Sequence, residues 1–475
     1  MIIKIFPNHC KVEGENTDLQ WIRSLLTIEV PGAKYTQFYR MKRWDGKKRF
    51  FSLVSKTFPI GFLHYVLSNK GSCAITLEDF RKFEPYDSSL PKLNLGLRDY
   101  QKKAILDCLK YRNCIVQAAT NAGKTAIFAG VIKKLYPLPT LILTHRSEIL
   151  WQMKKMIEDY TGLEVGVIIA NDILLKPVTI AMVTTLNNRL GAVQEITDFF
   201  ESVGCIVADE CHHAVSRTFT ALLSSSNAVY RFGFSGTVPE EDTFPGMLVR
   251  QWIGSVAFRI SNEDLIESGV SAKPTIYVYE MDLTSCLHGI FEQAKEELIE
   301  VFGDYTGQQL LKKVYQLSVQ KGIVENSERN LKILEIVNDN KGKSVLVVVD
   351  FLQHGEILKK LLKDNGITAE FISGASDVRK LALEEFKKGK LKILISTNII
   401  DEGIDISRIE VLAMFAGKKS KRQLLQRVGR SLRKKEGENT VKIYDFVDYG
   451  SRYLERHSKL RLAIYKNENF DVKFV

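Results

Sequence analysis

The 475-residue chain is too long for one ordinary hydrophobic core, so two or three domains are expected. A hydrophobic fraction of 45% and a charged fraction of 26% exclude a disordered or fibrous protein. The formal charge is +11, and seven scattered cysteines without a CxxC pair argue against a disulfide framework or zinc ribbon and fit a reducing compartment.

The first 88 residues predict a small accessory domain of mixed α and β structure. MIIKIF and RFFSLVS are typical of strands, and FPIGFLHYVLS is typical of a short helix. The segment EPYDSSLPKLNLG, with two prolines among polar residues, is typical of a linker.

This domain contains a segment that we call the N-terminal basic patch, Lys34 to Lys56. It holds eight basic residues against one acidic residue, with six aromatic residues interleaved. Cations for phosphates and flat rings for bases are typical of a nucleic-acid surface, with Arg43, Trp44 and Lys47 as candidate contacts. An amphipathic hairpin with a solvated face explains the same composition equally well.

After the linker, residues 89–270 predict an α/β domain. The strand-like runs NCIVQAA, PTLILT, VTIAMVTT, CIVADE and RFGFSGT alternate with amphipathic stretches. This alternation indicates a parallel sheet covered on both faces. The pattern restarts at residues 326–450 with SVLVVVD, LKILIST and VKIYDFVD, which predicts a second α/β domain. We interpret residues 271–325 as a helical connection that includes the strand-like run TIYVYEMDL, and residues 451–475 as a basic helical tail.

The segment AATNAGKT, residues 118–125, lies between a predicted strand and a predicted helix. A phosphate-binding loop (P-loop) requires this arrangement, because a helix N-terminus presents free amides and a favourable dipole to an anion. Lys124 can reach the β- and γ-phosphates of ATP, and Thr125 offers a hydroxyl to Mg²⁺. Ala118 and Asn121 stand where glycines are frequent, so an accidental match is the alternative. The other expected nucleotide contacts are Ala119, Thr120, Asn121, Ala122 and Gly123.

The segment VADECHHA, residues 207–214, places Asp209 and Glu210 at the carboxyl end of a predicted buried strand. Open α/β sheets bind ligands at that edge. Asp209 could hold Mg²⁺ and Glu210 could orient or deprotonate a water that attacks a triphosphate. The alternative is a zinc site, although neighbouring ligands on one short segment cannot easily close a tetrahedron. Its four ligands would be Cys205, Cys211, His212 and His213.

Taken in order, AATNAGKT, DECH, SGT (residues 235–237), STNIIDEGIDI (396–406) and QRVGRSLR (426–433) resemble the motif set of superfamily 2 DExH helicases. LRDYQKKAI, LTHRSEILWQ and TIAMVTTL are similar to three further motifs of that superfamily. The small N-terminal domain and the segments LIESGVSAKP and GIVENSERN resemble the phage UvsW type of recombination helicase. This resemblance implies two tandem RecA-like parallel-sheet domains with a small N-terminal α+β accessory domain.

The resemblance also implies roles in ATP hydrolysis. Gln101 would recognise adenine, and Gln426 would position water or contact the γ-phosphate. Arg430 and Arg433 would reach from the second α/β domain to the γ-phosphate of an ATP bound between the domains, so that hydrolysis would require domain closure. The motif expected to touch both ribose and nucleic acid contains Gly403 and Asp405.

Four residues that resemble family contacts to the nucleic-acid backbone are Thr144, Arg146, Thr184 and Thr397. Small hydroxyls and an arginine suit backbone binding without base recognition, which a motor that steps along any sequence needs. Ser235 and Thr237 would link hydrolysis to domain movement, with an ordinary turn as the alternative. His212 would be a polar relay near the γ-phosphate.

These features predict an ATP-dependent DNA helicase or translocase that uses ATP and Mg²⁺. Its substrate would be branched or partly single-stranded DNA, remodelled by fork regression, Holliday-junction migration or unwinding of displacement loops and R-loops. The alternatives are an RNA helicase, the motor subunit of a restriction system, and an ATP-driven nucleic-acid switch without unwinding.

For partners and location, we expect a monomer whose ligand is DNA, with RNA in hybrids as a second option. The resemblance allows a recombination or single-strand-binding protein as a partner. The sequence holds neither an apolar stretch of membrane-spanning length nor a signal peptide. We therefore expect no membrane partner and a cytoplasmic location, the host cytoplasm if a phage encodes the chain.

Overall fold

The computed structural model describes the whole chain except residues 72, 84–86, 171, 375–376, 398–408, 418–423, 425–427, 430–431 and 433–438. The chain divides into two compact units, Met1–Ile260 and Ser261–Val475. Across the described ranges, no helix is long and apolar enough to cross a lipid bilayer.

The first unit begins with a small α+β domain. Its strands are β1 (Ile2–Ile5), β2 (His9–Glu13), β3 (Thr27–Glu29), β4 (Lys47–Arg49), β5 (Thr57–Pro59) and β6 (Thr76–Asp79). Its helices are α1 (Asn16–Leu25), α2 (Gln37–Arg40) and α3 (Leu63–Ser68). Four strands form a sheet in the order β5-β2-β1-β6, and β3 pairs with β4 as a separate antiparallel ribbon.

The strand predicted for RFFSLVS is wrong for most of its length. Only Arg49 belongs to β4. Phe50 and Phe51 are buried in the core of this domain, and the next residues form a turn. The apolar run therefore marks core residues of a turn and not a strand.

The first α/β domain follows. Its strands are β7 (Asn113–Ala118), β8 (Thr140–Thr144), β9 (Val165–Ile169), β10 (Asp172–Leu174), β11 (Val178–Met182), β12 (Cys205–Asp209), β13 (Tyr230–Ser235) and β14 (Val256–Ile260). Its helices are α4 (Asp99–Tyr111), α5 (Lys124–Leu135), α6 (Ser147–Thr161), α7 (Val183–Arg189), α8 (Gln194–Ser202), α9 (Arg217–Ser225) and α10 (Phe244–Ile253). The strand order is β10-β9-β11-β8-β12-β13-β7-β14, and only the β10–β9 pair of this sheet is antiparallel. The carboxyl ends of the parallel strands therefore meet at one edge.

The accessory domain packs directly against helix α10 of this α/β domain. Met247 of α10 belongs to the hydrophobic core of the accessory domain. Gly61 is so close to α10 that a Cβ there would lie 1.9 Å from the carbonyl oxygen of Arg250. The guanidinium group of Arg250 lies over the ring of Tyr65, 4.4 Å from its centroid. The boundary predicted at residue 88 thus marks a change in sequence pattern, and the two domains on either side of it pack against each other.

The second unit contains another parallel sheet. Its strands are β15 (Lys273–Asp282), β16 (Val345–Val348), β17 (Glu370–Ile372), β18 (Ile393–Ser396), β19 (Val411–Met414), β20 (Thr440–Tyr449) and β21 (Asp471–Phe474). Its helices are α11 (Asn262–Glu267), α12 (Ile290–Phe302), α13 (Gly307–Val319), α14 (Ser327–Asp339), α15 (Leu352–Asp364), α16 (Asp377–Lys388) and α17 (Arg452–Asn467). The strand order is β17-β18-β16-β19-β20-β15-β21, and these pairs are all parallel.

Two predicted segments of the second unit hold the expected helices and also a strand of the sheet. Residues 271–325 contain α12 and α13, but their strand-like run is β15, which pairs over ten residues with β20 inside the sheet. Residues 451–475 contain the helix α17, which is followed by β21, an edge strand beside β15. The sequence shows that a run is strand-like, but the partner of that strand lies more than 150 residues away, and local pattern does not reveal it.

Candidate active site

The P-loop lies at the carboxyl end of β7 and leads into α5. Ala118 is the buried last residue of β7, so the first glycine expected in the motif is replaced where the backbone is still extended. Asn121 has φ +74° and Gly123 has φ +75°. Asparagine is among the few non-glycine residues that adopt this left-handed region at low cost, which explains its presence in the loop.

Gly123 and Gln101 are in close contact. A Cβ at residue 123 would lie 2.5 Å from Nε2 of Gln101. The amide of Gln101 is buried; its Nε2 donates to the carbonyl oxygen of Ala122 at 2.9 Å, and its Oε1 accepts from the backbone N–H of Arg98 at 2.9 Å. Gln101, which is predicted to recognise adenine, therefore also holds the backbone of the P-loop in place. The hydroxyl of Tyr100 donates to the same carbonyl at 3.0 Å, a contact that no motif in the sequence predicts.

Two carboxyl groups lie near Lys124 at the end of β12. This strand lies between β13 and β8 and is parallel to both. Asp209 is buried as the last residue of β12, and Glu210 follows it with φ +47°. The ammonium group of Lys124 is 3.4 Å from the carbonyl oxygen of Ala118. The structure thus brings the predicted phosphate-binding lysine and the predicted acids to one edge of the sheet.

The two acids differ in electrostatics. Burial, with a contribution from the charge of Glu210, raises the pKa of Asp209 above its usual range, although Lys124 opposes the shift. Burial would also raise the pKa of Glu210, but Lys124, His212 and Ser235 outweigh it and hold that pKa below its usual range. Glu210 is therefore ionised at neutral pH, whereas Asp209 gains its full charge most readily when a cation lies beside it.

His212 and Ser235 hold the carboxylate of Glu210. Ser235, the buried last residue of β13, donates to Oε2 of Glu210 at 3.0 Å. Nδ1 of His212 lies 2.8 Å from the hydroxyl oxygen of Ser235 and 3.2 Å from Oε2 of Glu210. The backbone N–H of Thr237 donates to that hydroxyl oxygen at 3.3 Å. All three predicted coupling residues therefore belong to one hydrogen-bonded group, Thr237 through its backbone.

The residues predicted to contact the nucleic-acid backbone occupy two places. Thr144 ends β8 and is 2% exposed, whereas Arg146 directly precedes α6 and is half-buried. Thr184 is exposed on α7, which follows β11, the neighbour of β8. Thr397 follows β18 in the second unit and is half-buried. The three residues of the first unit thus share one sheet edge with the P-loop.

The N-terminal basic patch includes α2 and β4, and its first part lines an open cavity of about 650 Å³. The indole Nε1 of Trp44 donates to the carbonyl oxygen of Lys47 at 2.9 Å, which fixes the ring. Asp45, the acidic residue in the patch, pairs with Arg49, which holds the pKa of that carboxyl at about 2. The cavity is lined by Lys34, Tyr39, Arg40, Lys42, Arg43, Trp44 and Asp45.

Five predicted site residues lie outside the described residues: Gly403, Asp405, Gln426, Arg430 and Arg433. The predicted zinc alternative has no support within the described ranges, where no three or more His, Cys, Asp or Glu side chains come together in a way that could hold a metal ion. Cys205 begins β12, and Cys211 lies just beyond its other end. Each residue of an extended strand adds roughly 3.3 Å to their separation, so the two thiols are too far apart to share one ion.

The chain is similar to known nucleic-acid motors. The family described as "Type III restriction enzyme, res subunit" matches residues 94–240, and "Helicase conserved C-terminal domain" matches residues 328–435. ATP-dependent DNA helicase uvsW of Enterobacteria phage T4 is 23% identical over 98% of this chain and 96% of its own length. DNA 3'-5' translocase XPB2 of Sulfurisphaera tokodaii is 25% identical over 74% of this chain and 81% of its own length.

Among solved structures, the Hef helicase domain of Pyrococcus furiosus has a TM-score of 0.52 and 15% identity, over 78% of this chain and 98% of that one. At this identity the likeness shows the fold alone. It confirms the predicted class of α/β structure with tandem RecA-like parallel sheets.

Proposed function

The chain belongs to the superfamily 2 DExH helicases and is an ATP-dependent helicase, and we propose that it is a DNA motor that remodels branched DNA. The observation that carries the motor activity is the meeting of Lys124, Asp209 and Glu210 at one sheet edge, with Glu210 kept ionised. The similarity to the ATP-dependent DNA helicase uvsW of phage T4, over almost the full length of both chains, supports DNA as the substrate, and branched DNA is what the resemblance of the sequence motifs implies.

Lys124 would bind the phosphates of ATP, and the loop amides before it would cradle them. Thr125 and Asp209 would hold Mg²⁺, for which a hydroxyl and a carboxylate are suitable oxygen ligands. When bound, the ion would neutralise charge on the phosphates. The buried Asp209 fits this assignment, because a cation beside it would counter the effect of burial on its pKa and favour the ionised carboxylate.

Glu210 would orient the attacking water. Its low pKa makes it a weak base, and its carboxylate is held in place by Ser235 and His212. We also propose that Gln426, Arg430 and Arg433 contribute to hydrolysis, and that Gly403 and Asp405 contribute to binding ribose or nucleic acid, as their motifs imply.

On the DNA side, we propose that Arg146, Thr184 and Thr397 contact the phosphate backbone. Thr144 is buried, so its proposed role is to position the segment before α6. The N-terminal basic patch would bind a duplex arm beside the motor, because its cavity is lined by four cations and two aromatic rings.

The test is a panel of labelled single strands, forks and four-way junctions, made in DNA and in RNA, with ATP and the purified chain. ATP-dependent conversion of DNA forks and junctions is expected, with Glu210→Gln as the control without hydrolysis. Activity on RNA substrates alone would favour an RNA helicase. ATPase stimulated by DNA without strand displacement would favour a switch or the motor of a restriction system, whose res subunit family matches residues 94–240.

A further inference from the structure

Three histidine rings pack in series beside the acids of the active site. We call His212, His213 and His145 the histidine stack. The ring centroids of His212 and His213 are 4.3 Å apart, and those of His213 and His145 are 4.5 Å apart. At its far end, His145 also packs on the buried ring of Phe219, at 5.2 Å between centroids. The stack therefore connects two segments that are more than 60 residues apart in the sequence.

One end of the stack is bonded to the carboxylate expected to act in hydrolysis. Nδ1 of His212 lies within hydrogen-bond distance of both Ser235 and Glu210. A change in the ligands of that carboxylate must therefore alter the position or hydrogen bonding of the His212 ring.

The other end of the stack lies in the segment proposed to hold the DNA backbone. His145 stands between Thr144, which ends β8, and Arg146, the capping residue of α6. His145 and Arg146 are adjacent along the backbone, so the packing of the His145 ring on His213 and Phe219 positions the segment that carries Arg146.

The stack also contains unsatisfied polar atoms. Nε2 of His145 and Nε2 of His212 are buried and have no hydrogen-bond partner among the described residues. A buried, unpaired polar group costs roughly 1–3 kcal/mol. These two nitrogens are therefore free to accept a partner on nucleotide or DNA binding.

On the basis of the function proposed above, we propose that the histidine stack transmits the state of the nucleotide site to the DNA-binding segment. His145 and His213 are positioning residues in this scheme, because they act through packing. By linkage, DNA bound at Arg146 would favour one arrangement of Glu210 as strongly as the nucleotide state favours one arrangement of Arg146.

The test compares ATPase rates of full-length variants without DNA and with a saturating oligonucleotide of deoxythymidine. The variants are His145→Leu, His213→Leu, His145→Phe and His213→Phe, and the matched control is His288→Leu, at an exposed histidine of the second unit. The affinity for the oligonucleotide and the melting temperature are measured for each protein.

In both leucine variants, the rate with DNA should fall more than the rate without DNA. The stimulation by DNA should fall by a factor of about 5 to 150, which is the usual range of coupling between two sites. The phenylalanine variants preserve ring packing and should retain more of the stimulation, and His288→Leu should retain all of it.

Wild-type stimulation in both leucine variants would reject the coupling role. A parallel fall of both rates with a lower melting temperature would also reject it, because it would show that the rings only fill the core. If the wild-type chain hydrolyses ATP without any response to DNA, the function proposed above fails, and this role fails with it.

Discussion

Lys124 is expected to act both on the phosphates of ATP and on the two acids of the active site, so substituting it tests both roles. Its ammonium group is the expected partner of the phosphates, and it also lowers the pKa values of Asp209 and Glu210. In Lys124→Ala we expect hydrolysis to fall about 100-fold or more, the cost of removing one preorganised donor from a transition state. DNA affinity without nucleotide should persist, because the proposed backbone contacts lie on other segments.

Steady-state ATPase and fluorescence-anisotropy titrations with a fork measure both quantities. The matched control is Lys102→Ala, which removes a partly exposed lysine paired with Asp99 on α4. Loss of fork binding in Lys124→Ala alone would show that nucleotide and DNA contacts are not separable in this chain.

Ser235 provides a second residue-scale prediction. Its hydroxyl donates to Glu210 and lies 2.8 Å from His212, so Ser235→Ala breaks a buried network at its centre. A hydrogen bond to a charged group contributes about 1.5–3 kcal/mol. We expect unwinding of a DNA fork to fall about tenfold, with a smaller loss of ATPase, because water can still reach an ionised Glu210. The control is Ser225→Ala, at an exposed serine whose hydroxyl donates within α9. An equal loss of unwinding and ATPase would mean that Ser235 serves hydrolysis only.

Residue spacing predicted the part of this site that is local in sequence. A lysine after a strand and two acids at the end of another strand can be recognised from short segments, and the parallel sheet brings them together. The contact of Tyr100 with the P-loop and the packing of His145 on His213 could not be predicted, because each joins segments that only the folded chain makes neighbours.

At the scale of elements, α17 is a structural part of the second sheet. Arg461 of α17 donates to both carboxylate oxygens of Asp445 on β20, at 2.9 and 3.0 Å, and both side chains are buried. The hydroxyl of Tyr465 donates to the same carboxylate at 2.8 Å. Helix and strand are thus joined by a paired charge that the hydrophobic pattern of the tail does not reveal.

In Arg461→Ala we expect the second unit to lose about 3–5 kcal/mol of unfolding free energy, because the charge of Asp445 stays buried without its partner. Lys459→Ala is the matched control on the same helix, since its pair with Glu455 is solvent-exposed and contributes at most about 1 kcal/mol. Urea unfolding followed by limited proteolysis assigns the change to the second unit. Equal stability of the two variants would show that the tail is dispensable for that sheet.

The elements themselves were largely predictable, because continuous apolar strands and amphipathic helices have distinct periods. The positions of β15 and β21 in the sheet were not, since the order of strands depends on pairing across long stretches of sequence. The same limit applies to the accessory domain. Its packing on α10 joins segments that are about 190 residues apart in the sequence, so the sequence pattern does not reveal it.

At the scale of the whole molecule, the packing of the accessory domain on α10 decides how the role of this domain should be tested. Deletion of residues 1–88 would uncover Met247 and remove the ring that lies against Arg250, so a loss of activity could reflect a damaged α/β domain. Substitutions at exposed residues of the N-terminal basic patch avoid this problem. Arg43 and Lys47 are exposed, and neither forms an ion pair within the described parts of the chain.

In Arg43→Ala/Lys47→Ala we expect weaker binding of branched DNA and slower fork remodelling, while ATPase stimulated by single strands is retained. The double variant should reduce the slope of log affinity against log salt by about 2, because each substitution removes one cation that neutralises a phosphate. Lys11→Ala, an exposed lysine on β2 of the same domain, should leave the slope unchanged. Titrations of a fork and of a single strand at several salt concentrations measure these slopes. If the double variant has the wild-type slope with forks, the cations of the patch do not face a duplex arm, and the accessory domain contributes to remodelling only through its packing on α10.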